Sequence, residues 1–136
     1  SLGRISPQCG RRADALKLWL TWLDIGSDGF GKIVDSCMDV AEHLAKLVEK
    51  KDEVELISHQ FTNVCIRFTP KENETTEEGD MRVRKARDKL EQDGTAMVID
   101  ARLDGRLVIR FAAAQPSVDK EAVTRFLENL IEVDQV

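Results

Sequence analysis

Two arginines stand inside the most apolar stretches of the sequence. Arg110 lies in the segment Val-Ile-Arg-Phe-Ala-Ala-Ala, and Arg67 lies in Val-Cys-Ile-Arg-Phe. A guanidinium held on a rigid strand is suited to bind a carboxylate through two parallel hydrogen bonds. The alternative is an ordinary alternating strand in which Arg110 is the polar member, with Val108 and Ala112 on its side. The residue pattern alone does not choose between these interpretations, nor between the two arginines.

The other residues that could carry chemistry form no recognisable catalytic or metal-binding pattern. The glycines are scattered at turns, so no phosphate-binding loop is indicated. Cys9, Cys37 and Cys65 do not stand at metal-ligand spacing from one another or from His43 and His59. We therefore predict no metal site and no cysteine–histidine nucleophile.

Length and charge limit the possible classes of protein. The 136 residues suffice for one domain with a real core. A net charge of −5 argues against a dedicated nucleic-acid binder, which usually presents a basic face. No apolar run approaches the roughly 18 residues that a membrane span needs. Three cysteines, an odd number, fit reduced thiols, so we predict a cytoplasmic protein.

The first predicted helix, over 13–25, is apolar around most of its circumference. Trp19 and Trp22 lie on it among several leucines. A helix with so wide an apolar surface contacts something on more than one side, so we predict that part of it is an interface. Gly26 is predicted to end this helix, and a second helix is predicted over 29–51.

Alternation and β-branched residues predict four strands, at 53–58, 62–68, 95–101 and 106–112. Asp104-Gly105 predicts a hairpin between the last two. Two further helices are predicted, one from about Thr76 and one capped by Ser117, and the charged run 71–80 is predicted to be an exposed loop without a core residue. The order predicts an α+β fold, a small, largely antiparallel four-stranded sheet with helices mainly on one face.

Several motifs resemble one enzyme family. They are Gln8-Cys9-Gly10-Arg11, Asp14 followed by Leu16-Lys17-Leu18-Trp19-Leu20, the turn from Gly26 to Phe30, Thr62-Asn63-Val64-Cys65, and the strand Leu107 to Pro116. In this order they are similar to the C-terminal part of group II pyridoxal-phosphate-dependent amino-acid decarboxylases, in the branch of glutamate and cysteine-sulfinate decarboxylases. The resemblance extends over essentially the whole chain.

The resemblance implies that two domains of a longer enzyme share the active site. In the family, a large upstream domain holds pyridoxal 5'-phosphate through a lysine and an aspartate, and the present sequence matches only the C-terminal small domain of these fold-type I enzymes. It implies a junction over 1–12, a small domain over 13–136, a homodimer in the full enzyme, and no cofactor binding or turnover by this chain alone. Arg110 matches the family's substrate-carboxylate arginine. Gln8, Cys9, Gly10 and Arg11 match a junction element near the active site and the subunit interface, which implies packing or interdomain bonding, with direct ligand contact as the alternative.

Departures from the family pattern leave the substrate open. Ile66-Arg67 replaces an aromatic pair, and Gln115-Pro116 replaces Asn-Pro. Glutamate, cysteine sulfinate and aspartate all remain possible small acidic substrates. A different class of function also remains, a stand-alone α+β binding or regulatory module without catalysis, which would account equally for the absence of the cofactor lysine motif.

Overall fold

The computed structural model describes residues 12–135, and the chain divides into two compact units, residues 1–34 and 35–136. The elements along the chain are the helix α1 and the strands β1 and β2, then the helix α2, the strands β3 and β4, and the helix α3. Their bounds are Asp14–Val48, Val54–Gln60, Asn63–Phe68, Thr76–Gln92, Ile99–Leu103, Arg106–Ala112 and Lys120–Gln135. None of the described helices is long and apolar enough to cross a membrane.

The α1 helix is interrupted at the glycine where the sequence predicts an end. Gly26 has φ 66° and ψ −178°, a combination that is essentially restricted to glycine. Helical structure resumes beyond the break and continues to Val48, so the prediction of two helices separated at Gly26 is confirmed, and the second ends three residues earlier than predicted. Within the first unit, the rings of Trp22 and Phe30 lie 4.7 Å apart across this break.

The first half of α1 carries an exposed apolar surface. Its large side chains are each about half exposed or more, namely Leu16, Leu18, Trp19, Leu20, Trp22 and Leu23. Association that covers such side chains is favourable by about 25 cal/mol for each Å² of apolar area removed from water. The surface agrees with the predicted interface, which itself stays a prediction.

We expect the 136-residue chain to self-associate or aggregate through this surface. Sedimentation velocity at increasing protein concentration should show species heavier than the monomer, and Leu16→Glu combined with Leu23→Glu should reduce them. A monomer that stays monodisperse at high concentration, with both tryptophans protected from quenchers, would contradict the interface interpretation.

Two hairpins build the antiparallel sheet, which has the strand order β1-β2-β4-β3. β1 pairs with β2, β3 pairs with β4, and β2 joins the hairpins by pairing with β4. Asp104 and Gly105 both have positive φ, as a type I′ turn requires, which confirms the predicted hairpin. β4 therefore has a hydrogen-bonded neighbour on each side.

Within residues 35–135, the helices lie on one face of this sheet. Val64, Ile66 and Phe68 share that face with their cross-strand partners, including Ile109 and Phe111, because paired residues point to the same side. The α3 helix packs there through Phe126, whose ring lies 5.5 Å from that of Phe111, and α2 places Arg82 over the ring of Phe68. His43 on α1 contacts Thr124 on α3. The predicted α+β fold is confirmed.

Local chemistry fixes both ends of α2. Thr75 and Glu78 form a reciprocal capping box at the start. At the other end Gly94 has φ 66°, Thr95 donates to the Leu90 carbonyl, and Gly94 donates to the Glu91 carbonyl, which together make a Schellman motif. The predicted start near Thr76 and stop at Gly94 are confirmed.

Two local predictions are wrong. The cap of α3 is Asp119 and not Ser117, because α3 begins at Lys120 and the Asp119 carboxylate accepts a hydrogen bond from the Ala122 amide at 2.7 Å. The run 71–80 is not a purely exposed loop, because its second half opens α2 and Asp80 is only 7% exposed. The buried position of Asp80 follows from its interaction with Arg67.

Candidate functional site

The candidate site is the side of β4 that carries Arg110. Its guanidinium is exposed, and its Nε–H donates a hydrogen bond to Asn63 Oδ1 at 2.9 Å. Arg110 stands directly opposite Cys65 on β2 and opposite Ile99 on β3. Asn63 is two residues from Cys65 on the same strand, so it shares the face of Arg110 diagonally. Pairing on both sides of β4 makes this a rigid position for a charged side chain.

Arg110 differs from the other arginines on the strands in having no carboxylate partner among residues 12–135. Arg67 and Arg102 both pair with Asp80, and Arg106 lies 3.6 Å from Glu55. The chain has more acidic than basic side chains, 25 against 20, so an arginine without a carboxylate is notable. Its terminal nitrogens, Nη1 and Nη2, make no hydrogen bond within the described part of the chain.

Arg67, which the sequence could not distinguish from Arg110, is a buried structural residue. It is 4% exposed, and its Nη1 donates to Asp80 Oδ1 at 2.8 Å and to the Leu107 carbonyl. Its Nη2 donates to the Thr76 carbonyl at 3.3 Å. Because Arg67 is buried and both of its terminal nitrogens are held by groups of the fold, it is not available to bind a substrate.

Asp80 is the counterion of Arg67, and it was not among the residues predicted to be functional. Burial by itself would raise the pKa of its carboxyl group, but hydrogen bonds from the Leu107 amide and Arg67, with the charges of Arg67 and Arg102, hold that pKa below its usual value. Asp80 precedes the buried Val83 by three residues, which places both on the inner stripe of α2. The spacing of three residues between Asp80 and Val83 is the feature of the sequence that could have predicted a buried Asp80.

The fit around Arg67 is tight enough to predict an unusual glycine effect. A Cβ at Gly79 would clash with Arg67 Nη2, and Arg67 cannot move away because its guanidinium is held by Asp80 and Leu107. We expect Gly79→Ala to lower the free energy of unfolding by about 1–3 kcal/mol, although alanine is the better helix former.

Gly31 provides the matched control, since it is helical and exposed, and a Cβ there meets nothing within 4 Å. Gly31→Ala should stabilise the chain by about 0.5–1 kcal/mol. Urea denaturation of both variants checks the contrast. Equal stabilisation by the two substitutions would show that the Arg67 contact is not rigid.

The thiol of Cys65 lies beside Arg110 but is not set up as a nucleophile. Burial raises the pKa of Cys65, and the nearby charge of Arg110 offsets only part of that effect. The thiol is therefore protonated at neutral pH. Among the described residues, no group of three histidine, cysteine, aspartate or glutamate side chains could hold a metal ion.

The lysines within residues 12–135 are the side chains whose amines could bond to an aldehyde cofactor. Every lysine in this range is exposed, so none lies in an enclosed pocket where its amine could bond to an aldehyde cofactor. Of the predicted junction and interface residues, Trp19 and Trp22 lie on the exposed surface of α1. Gln8, Cys9, Gly10 and Arg11 lie outside the described residues, as does most of the predicted junction over 1–12.

Residues 2–69, half of the chain, match the family described as "Pyridoxal-dependent decarboxylase conserved domain". The chain belongs to this family. It is 41% identical over 64 residues to human cysteine sulfinic acid decarboxylase, an alignment that covers 46% of this chain and 13% of that protein. It is 36% identical over 72 residues to the L-aspartate decarboxylase of Metarhizium robertsii, covering 51% of this chain and 14% of the relative.

Solved structures of the family extend the similarity to nearly all of this decarboxylase-family chain. Mouse CSAD in its apo form has a TM-score of 0.85 at 25% identity, covering 95% of this chain and 29% of that chain. Oryza sativa TDC with PLP and tryptamine has a TM-score of 0.81 at 26% identity, covering 94% and 28%. The chain thus spans less than a third of the length of these relatives.

Proposed function

We propose that this chain is the small domain of a pyridoxal-phosphate-dependent decarboxylase of acidic amino acids, and that Arg110 binds a substrate carboxylate. The observation that carries the proposal is the exposed, rigidly placed guanidinium of Arg110, which pairs with no carboxylate in the described part of the chain. The names of the relatives, cysteine sulfinic acid decarboxylase and L-aspartate decarboxylase, support an acidic substrate.

The role of Arg110 in this proposal is orientation. Two N–H groups of its guanidinium donate to the two oxygens of one carboxylate, which fixes both the position and the plane of that group. A carboxylate held in one plane has already lost the rotational freedom that would otherwise oppose reaction. β4 supplies the rigidity, because it is paired with β2 and β3.

The proposed reaction also needs a group that holds the cofactor and partners that complete the site, and we assign both to other parts of a longer protein. Since no lysine here is placed to hold pyridoxal phosphate, we assign the cofactor to an upstream domain of a longer protein. That domain and a second subunit of a homodimer are the partners we propose for the exposed surface of α1, which contains Trp19 and Trp22. We propose the same interdomain contact for the junction residues Gln8, Cys9, Gly10 and Arg11, on the resemblance alone. We place the enzyme in the cytoplasm, where its cysteines stay reduced.

The test is expression of the complete reading frame that contains this chain, with CO2 release measured from glutamate, cysteine sulfinate and aspartate. We expect release from at least one of the three, and none from the 136-residue chain by itself. Tryptophan serves as the control for a site that does not select an acidic side chain. A reading frame limited to this chain, or visible absorbance of lysine-bound cofactor in the 136-residue chain, would overturn the proposal.

A further inference from the structure

We infer that Asn63 is a positioning residue, which fixes the side chain of Arg110 so that it binds an anion through Nη1 and Nη2. This inference rests on the proposed function of Arg110. Its basis is the hydrogen bond from Arg110 Nε to Asn63 Oδ1 at 2.9 Å, which joins residues 47 apart in the sequence.

The position of this hydrogen bond on the guanidinium decides the binding mode. Arginine can bind a carboxylate either along the edge formed by Nε and one Nη or across the end formed by Nη1 and Nη2. Asn63 accepts the Nε–H of Arg110, so a carboxylate cannot bind along the edge that includes Nε. Binding across Nη1 and Nη2 remains possible. The same bond limits the rotation of a long side chain that would otherwise lose much conformational freedom on binding.

The chemistry of the acceptor supports a positioning role. Asn63 offers an uncharged amide oxygen, so Arg110 keeps its full positive charge toward solvent. The same sheet shows the contrasting arrangement at Arg67, where the acceptor is the carboxylate of Asp80 and the pair is buried. A neutral acceptor thus accompanies the exposed arginine, and a charged acceptor accompanies the structural one.

The first measurement uses the 136-residue chain and nuclear magnetic resonance. Loss of a hydrogen bond from a charged donor should speed the solvent exchange of the Arg110 Nε proton by about 10-fold in Asn63→Ala. Gln60→Ala is the matched control, because Gln60 is the exposed cross-strand partner of Asn63 and also loses an amide. Asn63→Asp retains the acceptor oxygen and should keep the slow exchange. Equal exchange rates in Asn63→Ala and the wild type would overturn the inference.

The second measurement separates a positioning role from a structural one in the complete decarboxylase. Asn63→Ala should raise KM by about 10-fold. Asn63→Asp, which is nearly isosteric, should raise KM at least as much, because its carboxylate competes with the substrate for Arg110. A wild-type KM in Asn63→Asp would overturn the inference. If the complete protein releases no CO2 from any acidic amino acid, the proposed function fails, while the exchange measurement still decides whether Asn63 holds Arg110.

Discussion

If the proposed function holds, Arg110→Met is expected to abolish most decarboxylation by the complete protein while leaving this chain folded. Losing a charge-assisted, two-point contact to the substrate should cost about 2–5 kcal/mol at the transition state, a fall in kcat/KM of roughly 30-fold to several thousand-fold. The exposed guanidinium makes one hydrogen bond within the described part of the chain, so the free energy of unfolding should change by about 1 kcal/mol or less.

The matched control for this prediction is Arg106→Met. Arg106 lies on the same strand and the same side of the sheet, four residues away, but it is paired with Glu55. Steady-state kinetics should show near wild-type kcat/KM for Arg106→Met. If Arg110→Met also retains wild-type kcat/KM, the substrate carboxylate is bound by another residue.

Arg67→Met is expected to have the opposite profile, with a large loss of stability. The substitution leaves the Asp80 carboxylate buried without its closest cation, a change that typically costs about 3–5 kcal/mol. Small domains are stable by only about 5–15 kcal/mol in total, so the variant should approach unfolding at room temperature. Urea denaturation followed by circular dichroism measures the effect.

A double variant and an exposed control make this second prediction specific. Asp80→Asn added to Arg67→Met removes a carboxylate charge that only the half-exposed Arg102 would still compensate, and it retains an acceptor for the Leu107 amide, so part of the stability should return. Arg125→Met breaks an exposed pair with Glu121 and should cost only about 0.3–0.5 kcal/mol. Equal losses at Arg67 and Arg125 would show that the buried pair contributes nothing beyond an ordinary surface pair.

Lowering the pH should reduce the difference in the free energy of unfolding between the wild type and Arg67→Met. The folded-state pKa of Asp80 lies below its unfolded value, so its ionisation adds stability above the ordinary carboxyl pKa. That stability is lost as the pH falls through the folded-state pKa. Without Arg67, burial acts against the charged form and protonation becomes less costly. The difference in unfolding free energy should therefore be smaller at about pH 4 than at pH 7.

The sequence predicts three of the four strands closely because its signals are local, whereas the strand predicted at 95–101 lies at Ile99–Leu103. The alternation in β1 and β2, the Asp104-Gly105 turn and the periodicity of α3 each depend on neighbouring residues, and the structure contains all of them. The break at Gly26 and the helix beyond it are also local signals, and the structure contains both. Ser117 and Asp119 are two possible caps only two residues apart, and sequence offers no way to rank them.

Neighbouring residues in the sequence do not distinguish Arg67 from Arg110. Arg67 and Arg110 have nearly the same apolar neighbours in sequence, yet one is buried against Asp80 and the other is exposed beside Asn63. The difference comes from α2, which covers one end of β2 and brings Asp80 to Arg67. Resemblance to the decarboxylases selects Arg110, and the geometry supplies the physical reason that Arg67 is unsuitable.

The strand order also has a consequence for when the site forms during folding. Each hairpin closes a short loop, which costs little chain entropy, so β1-β2 and β3-β4 can form early and separately. Asn63 belongs to the first hairpin and Arg110 to the second, and the whole of α2 lies between them in sequence. Their contact exists only after the two hairpins have joined along β2 and β4. A partly folded chain therefore presents a mobile arginine without its acceptor, and the anion binding that we propose for Arg110 requires the complete sheet.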